Sequence, residues 1–331
     1  MHLFPPNNLL PQEPVMKIAG PVFLMLLLVP FISLYASEVT VTKTDAGAVV
    51  KIDGKLFTEY LTKSGNKPIC YPVIGPTGKA VTRHYPIAAD KGKGEKHDHP
   101  HHRSLWFTHG DVNGISYWHE GDKTGTIVHR EFVKLESAGS TAVIVSRNDW
   151  VGPDGKVACS DVRTLTFGAE KNSRWIDFDV VFTGGQEGCR FGDTKEGSFG
   201  VRVAGTMKVD AQQGGKVVNS EGQTDKGAWG KPAAWVDYFG PVEGEQLGIA
   251  ILNHPKSFRH PSYWHVRTYG LFAANVFGLR HFTGGKAGKG EHTLKPGEKV
   301  AFYHRVVLHK GDDKQAQIAK AFAQYAKLEK P

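Results

Sequence analysis

The stretch RWIDFDVVF, residues 174–182, alternates apolar and polar side chains more regularly than any other part of the chain. In an extended strand, successive side chains point to opposite faces, so Asp177 and Asp179 share one face. The apolar side chains that share the other face are Ile176, Phe178, Val180 and Phe182. This pattern predicts a β-strand with one face buried in a core.

Short runs of the same kind lie on both sides of this strand. Residues 38–59 contain the runs VTVTK, AVVKID and KLFTEY, which are separated by turn residues. Pro153-Asp154-Gly155-Lys156 predicts a hairpin turn between strands at residues 142–150 and 157–167. Residues 299–309 predict a further strand near the end of the chain.

The sequence predicts one convincing helix, close to the carboxyl end. Asp312 or Asp313 can cap it, and Ile318, Phe322 and Tyr325 recur at helical spacing. Because strands do not alternate with helices, a doubly wound α/β fold is disfavoured. The predicted fold is mainly β: a large antiparallel β-sandwich with one C-terminal helix.

The amino-terminal segment has the pattern of a secretory signal peptide. Lys17 precedes an apolar run over residues 18–35 that ends in small residues. We therefore expect a leader at residues 1–37, a single domain at residues 38–331, and export to the periplasm or the extracellular space. The alternative is an uncleaved membrane anchor, since the run is about long enough to span a bilayer.

The composition excludes few functions. The 331 residues carry 41 Lys and Arg against 33 Asp and Glu, a net charge of +8. The basic residues are dispersed, without a nucleic-acid-binding motif, so no nucleic-acid partner is expected. After removal of a signal peptide, no membrane contact is expected either. Three cysteines are too few for a disulfide scaffold.

The stretch HDHPHHRSLWFTHGDVNGISYWH, residues 97–119, is the strongest sign of a functional site. It contains six histidines within 23 residues. Imidazole titrates near neutrality and binds metals. A divalent metal could be held by His99 and His101 with a third ligand such as His109 or Asp111. The competing interpretation is that these rings make hydrogen bonds to the backbone and contacts with aromatic neighbours.

A second polar stretch, GDTKEGSFGVR, covers residues 192–202. Glu196 could act as a general acid or base if burial raises its pKa, and Lys195 could hold a neighbour ionised. The alternative is a surface turn in which Glu196 pairs with Lys195 or Arg202.

Two further stretches interleave aromatic and polar residues: residues 219–238 and residues 254–275. Flat rings stack on sugar faces, and polar side chains bind hydroxyls, so this mixture favours a carbohydrate ligand. We expect Trp106, Trp118 or Trp264 to line the same cleft as the histidines. The sequence has no nucleotide-binding glycine motif and no hydrolase elbow.

The chain resembles the PmoA-like family ("methane oxygenase PmoA") of exported bacterial proteins. The resemblance rests on HPHHRSLWFTHGDVNG (99–114), DTKEGSFGVRV (193–203), NSEGQTDKGAWGK (219–231), WVDYFGP (235–241) and WHVRTYGLFAANVFG (264–278). It implies a supersandwich similar to galactose mutarotase, whose relatives act on sugars.

These observations together predict an exported carbohydrate-active protein, a lyase, epimerase or hydrolase acting on a glycan. The alternatives are a non-catalytic sugar-binding module and a histidine-ligated metal oxidoreductase. The predicted catalytic residues are His101 or His102 with Glu196. Arg103, Lys195 and Arg267 would bind an anionic group or a developing oxyanion. The full set of predicted substrate-binding residues is Arg103, Trp106, His109, Asp111, Asn113, Asp193, Lys195, Arg202, His265, Arg267, Tyr269 and Asn275.

Overall fold

The computed structural model describes residues 1–4, 11–13, 37–92 and 95–331. The chain divides into two units, Met1–Tyr35 and Ala36–Pro331, and every strand and helix given below lies in the second. The expected signal peptide falls almost entirely outside the described residues. Among the helices that are described, none has both the length and the apolar character needed to cross a membrane.

Eighteen strands and two α-helices make up the described fold. In chain order, the strands are β1 (Val39–Lys43), β2 (Gly47–Ile52), β3 (Lys55–Ser64), β4 (Lys67–Val73), β5 (Leu105–His109), β6 (Thr126–Ala138), β7 (Thr141–Val151), β8 (Val157–Glu170), β9 (Ser173–Gly184), β10 (Cys189–Phe191), β11 (Gly197–Arg202), β12 (Lys216–Asn219), β13 (Trp235–Val242), β14 (Glu245–Asn253), β15 (Tyr263–Val266), β16 (Leu271–Asn275), β17 (His292–Leu294) and β18 (Lys299–Lys310). The helices are α1 (Leu279–Thr283) and α2 (Ile318–Tyr325).

Two eight-stranded antiparallel sheets dominate the architecture. The first has the spatial order β1-β2-β3-β4-β5-β11-β16-β15, and the second has the order β12-β13-β14-β18-β9-β8-β7-β6. Strands β10 and β17 form a separate two-stranded sheet. The predicted mainly β, antiparallel sandwich is therefore confirmed.

The alternating stretch at residues 174–182 lies in β9, inside the second sheet, between β8 and β18. Its four apolar side chains are at most 1% exposed and belong to the main hydrophobic core. Asp177 and Asp179 lie on the opposite face, where Arg305 and Lys330 pair with them. The hairpin turn predicted at residues 153–156 is also present and joins β7 to β8.

The central strands of the first sheet bury both faces. In β5, Leu105 and Phe107 belong to the main core, whereas Trp106 belongs to a separate apolar cluster. Ala273 and Ala274 of β16 divide between the same two clusters. The face of the first sheet that carries the second cluster is called the outer face below, and the histidine loop packs on it.

The C-terminal helix is confirmed, with Ile318 and Tyr325 fully buried. Its N-cap residue is Gln317, so the predicted capping by Asp312 or Asp313 is wrong. The short helix α1 was not predicted. It has five residues between Gly278 and Gly284, too few for an apolar periodicity to show in the sequence. The three cysteines are buried free thiols.

We predict that Gly200→Ala destabilises the fold by about 1–3 kcal/mol. Gly200 pairs with Trp106 across β11 and β5, and a Cβ there would lie 2.7 Å from the Trp106 ring. The ring is fully buried and has little room to move. Urea denaturation of the purified protein measures the loss.

The matched control is Gly227→Ala, because a Cβ at Gly227 would meet no atom within 4 Å. We expect its unfolding free energy to stay within about 0.5 kcal/mol of the wild type. Equal stability of the two variants would contradict the tight packing of Trp106 against β11.

Candidate functional site

A buried arginine organises the loop that carries the histidines. The Arg83 guanidinium is 2% exposed and donates hydrogen bonds to the carbonyls of Asp98 (2.8 Å), His99 (2.8 Å) and His102 (3.2 Å). His99 and Ser104 have φ values of +43° and +56°, a left-handed conformation that costs energy in residues other than glycine. The arginine thus holds the loop in a shape that it would not adopt alone.

Asp98 joins two buried arginines. Its Oδ1 lies 2.7 Å from Arg83 Nη1 and 2.8 Å from Arg202 Nη2. Burial raises the pKa of Asp98, but the two guanidinium groups lower it by more, so the carboxylate is ionised at neutral pH.

Arg202 also fixes the protonation of His102. Its Nη1 lies 3.2 Å from His102 Nδ1, and because a guanidinium can only donate, this nitrogen is the acceptor. Burial, together with the charge of Arg202, lowers the pKa of His102 well below its ordinary value. His102 is therefore neutral, with its proton on Nε2.

Four rings stack in a column on the outer face. His99 lies parallel to Tyr269, with ring centroids 5.3 Å apart, and parallel to His102 at 4.8 Å. His102 in turn stacks on the buried Trp106 at 5.6 Å. The column runs from the exposed His99 and half-buried Tyr269 to the apolar interior. Its outer end presents flat aromatic surface beside polar groups, as sugar recognition requires.

His101 lies beside this column and faces a histidine of the same loop region. Its ring centroid is 4.8 Å from that of the exposed His119. Burial lowers the pKa of His101 to about 3, with further contributions from His119 and Lys67. The expected base with a pKa near neutrality is therefore not found, because burial and neighbouring cations keep the ring neutral.

An ion-pair network lies next to His101. Glu120 accepts two hydrogen bonds from Arg103, at 2.7 and 2.8 Å, and one from the fully buried Lys67 at 3.0 Å. Burial lowers the pKa of Lys67 to about 8. The predicted binding of substrate by Arg103 is not supported, because its guanidinium is already paired with Glu120.

Glu196 precedes β11 and is half-buried. Burial raises its pKa, but the hydrogen bond from Lys195 and the neighbouring His265, Lys195 and His119 lower it by more. The raised pKa expected from the sequence is thus wrong, and Glu196 is ionised at neutral pH. His119 is an electrostatic neighbour of both Glu196 and His101, so these two side chains approach the same histidine.

Two residues of the β15 region complete the site. His265 is 3% exposed, and burial lowers its pKa to about 4 although Glu196 raises it. Arg267 is exposed, and its guanidinium lies 5.7 Å from the Trp229 ring centroid and 5.8 Å from that of Tyr269. Predicted residues Lys195, Glu196, His265, Arg267 and Tyr269 therefore lie together.

His109 does not join the other histidines. It lies on the core side of β5, where its ring packs against Phe277 at 4.9 Å and its Nε2 bonds the Gly192 carbonyl at 2.8 Å. The predicted metal set of His99, His101 and His109 is therefore not found, because His99 and His101 lie in the loop before β5 on the outer face, whereas His109 faces the core. In residues 1–4, 11–13, 37–92 and 95–331, no three His, Cys, Asp or Glu side chains are grouped to hold a metal ion.

Asp111 and Asn113 stabilise a turn. Asp111 pairs with Arg190 at 3.1 Å, and Asn113 Oδ1 accepts a hydrogen bond from the Arg190 backbone at 2.7 Å. Their polar groups are thus used within the fold, and the substrate-binding role predicted for them is not supported.

Asp193 and Asn275 position the loop that carries Glu196. Asp193 accepts hydrogen bonds from the backbone of Arg280 and Gly290. Asn275 donates to the Thr194 carbonyl at 2.9 Å and accepts from the Phe277 backbone at 2.8 Å. Both act on the site through the backbone, rather than as the predicted ligand contacts.

The tryptophans support the site from below. Trp106 and Trp118 have no exposed surface, and they pack against each other beneath His102. Trp264 belongs to the main core and donates to the Ala233 carbonyl at 2.9 Å. The prediction that Trp106, Trp118 or Trp264 lines the cleft is not supported, because all three rings are fully buried. The rings nearer the surface are the exposed His99 and the half-buried Tyr269.

Several residues of the site were not predicted. Asp98 and His119 lie within the histidine stretch, whose composition was the available signal. Arg83 and Lys67 lie in segments without any chemical pattern, and only the pairing of strands brings them to the loop.

These elements define the class of protein: a two-sheet antiparallel β-sandwich with a histidine-rich site on the outer face of its first sheet. The chain belongs to the family of unknown function DUF6807, whose profile matches residues 47–323. The resemblance to the PmoA-like family is therefore wrong, because no profile of that family matches. A search of curated proteins finds no match.

Solved structures with a similar fold include proteins that act on sugars. A galactose mutarotase-like protein from Clostridium acetobutylicum is 10% identical, with a TM-score of 0.38, over 83% of this chain and 99% of its own. A family 36 α-galactosidase from Geobacillus stearothermophilus, solved with raffinose, is 11% identical, also with a TM-score of 0.38 and 83% of this chain covered. A polysaccharide lyase is 16% identical, with a TM-score of 0.33 and 84% coverage.

This chain spans 41% of the α-galactosidase and 33% of the lyase.

We predict that the unfolding free energy falls as the pH decreases from 7 toward 4. Burial lowers the pKa of His109 and His265 to about 4, whereas histidines in an unfolded chain titrate near pH ~6.5. Below that pH the unfolded chain binds more protons than the folded protein. The unfolding free energy therefore falls by up to about 1.4 kcal/mol per pH unit for each such ring. Urea denaturation at pH 7, 6 and 5 measures the dependence.

His109→Gln should weaken this pH dependence, because it removes one buried ring but keeps a side-chain donor for the Gly192 carbonyl. The control is His281→Gln, at an exposed position. If both variants retain the wild-type slope, burial of a neutral His109 is not the cause.

Proposed function

We propose that the protein is a carbohydrate-active enzyme and that the outer face of the first sheet binds a glycan. One observation carries the proposal: the half-buried ring of Tyr269, at the outer end of the stacked column, lies beside the ionised Glu196. A sugar packed against Tyr269 would place its ring carbons and hydroxyls next to a carboxylate. The β-sandwich fold, which sugar-active proteins among the similar structures also have, is compatible with this proposal.

In this proposal Glu196 is the group that accepts a proton. A carboxylate that is ionised and half-buried can remove a proton from a bound sugar or from a water molecule. Lys195 and His265 lie beside Glu196 and would reduce the exposure of its charge to solvent.

A non-catalytic sugar-binding module is the second candidate, favoured by the Lys195–Glu196 pair. A carboxylate with a lowered pKa is a weaker base, and an ion pair that persists in the complex would keep it from reacting. The metal oxidoreductase alternative depended on the PmoA-like resemblance, which the family match replaces.

We predict that Glu196→Gln lowers turnover by about 10²–10⁴-fold and leaves sugar affinity nearly unchanged. The amide keeps the shape of the side chain but cannot accept the proton. The experiment screens oligosaccharides for product formation by NMR and measures binding of the best ligand by calorimetry.

The matched control is Glu131→Gln, an exposed carboxylate on β6 of the second sheet. Full activity of Glu196→Gln would remove the role given to Glu196. Binding without turnover by the wild-type protein across the screen would instead favour the binding module.

We also propose that the protein is exported after cleavage close to Ser37, for the reasons given by the signal-peptide pattern. We expect mass spectrometry of the protein from its native host to find a mature chain that begins near residue 37 or 38. A mature chain that retains Met1 or Met16 would contradict export by cleavage and favour an anchored protein.

A further inference from the structure

The site carries an excess of positive charge. The cations that meet there are Lys67, Arg83, Arg103, Lys195, Arg202 and Arg267, whereas the carboxylates are Glu95, Asp98, Glu120 and Glu196. The site histidines with lowered pKa values are neutral at pH 7 and do not change this balance. A neutral ligand would leave the excess in place.

Part of this excess positive charge is buried, which strengthens the electrostatic potential that it creates. Arg83 and Arg202 are 2% and 3% exposed, and they share the single carboxylate of Asp98. Burial lowers the pKa of Arg83 to about 10, and the charge of Arg202 contributes to this. Two desolvated cations that share one ion-pair partner create a positive potential that water screens poorly.

Arg267 is the cation that is free to bind a ligand. Every Asp and Glu of the chain lies among the described residues, and no ion pair to Arg267 is found there. The guanidinium lies near the rings of Trp229 and Tyr269, which restrict its position. Its backbone is fixed by hydrogen bonds with Leu271 (2.8 Å) and Gly270 (3.0 Å).

Arg267 lies next to the surface that is proposed to contact the sugar. Tyr269 contacts both Arg267 and Arg202 and stacks on His99. An anionic substituent on a sugar that covers Tyr269 would therefore come within reach of the Arg267 guanidinium. The forked donors of a guanidinium match the paired oxygens of a carboxylate or a sulfate.

We infer that the glycan bound here is anionic and that Arg267 binds its carboxylate or sulfate group. This inference rests on the proposed function and adds the chemical class of the ligand. The carboxylate of a uronic acid and the sulfate of a sulfated sugar share this chemistry, and the experiment below separates them.

The test uses the full chain and calorimetry with two matched pairs of oligosaccharides. The first pair is a trigalacturonate and the corresponding neutral galactose trisaccharide, and the second is a sulfated galactan oligosaccharide and its desulfated form. We expect the anionic member of at least one pair to bind about tenfold or more tightly at low salt, and this preference to shrink with added salt. The pair that shows the preference identifies carboxylate or sulfate as the group.

Variants assign the preference to Arg267. Arg267→Gln should lower affinity for the anionic sugar by about tenfold and leave the neutral sugar unaffected, and Arg267→Lys should restore part of the loss. Arg280→Gln, at an exposed position outside the site, is the control. Thermal unfolding of each variant shows whether it is folded.

The outcomes separate the two proposals. If neither member of either pair binds, both the glycan site and the anionic ligand are overturned. If neutral and anionic sugars bind equally, or if Arg267→Gln keeps the full preference, only the role of Arg267 and of the anionic group is overturned.

Discussion

The candidate site depends on the ion pairs of Asp98 with Arg83 and Arg202. Arg83 supplies hydrogen bonds to carbonyls of the histidine loop, and Arg202 orients His102 through its Nδ1. Removing a guanidinium from water is costly unless its donors are satisfied, so this arrangement is stable only when the loop is closed over it. The same contacts thus fold the loop and set the protonation of a site residue.

The electrostatics of the site follow from this closure. Burial makes His101 and His102 neutral, while the paired arginines remain charged, so much of the positive potential comes from guanidinium groups whose charge does not change near pH 7. Glu196 is held ionised by Lys195 in the same field. A site of this kind favours chemistry in which a negative charge is bound or develops, whereas it disfavours a cationic ligand.

The sequence predicted what depends on local pattern, and failed where long-range pairing decides. The alternation in residues 174–182 gave a correct strand and a correct buried face, because period-two alternation is a property of the strand itself. Of the six clustered histidines, four do lie together in ring contact: His99, His101, His102 and His119. The prediction that His109 joins His99 and His101 was wrong. His109 lies in β5 on the same face as Phe107, whereas His99 and His101 precede that strand in a loop. Arg83 could not be predicted, since its partners depend on how the chain folds back.

Glu196 shows why burial alone is a poor guide to acidity. Desolvation does raise its pKa, as the sequence argument assumed, but the adjacent Lys195 and the nearby histidines outweigh that effect. Lys195 is next to Glu196 in the chain, but adjacency alone does not predict that the two side chains pair. Neighbouring side chains in a strand point to opposite faces, and only a turn brings them together. These residues lie just before β11, outside the regular alternation, where such a pair can form. The ionised carboxylate is therefore a consequence of where the strand begins, and any proton donated at this site has to come from another group.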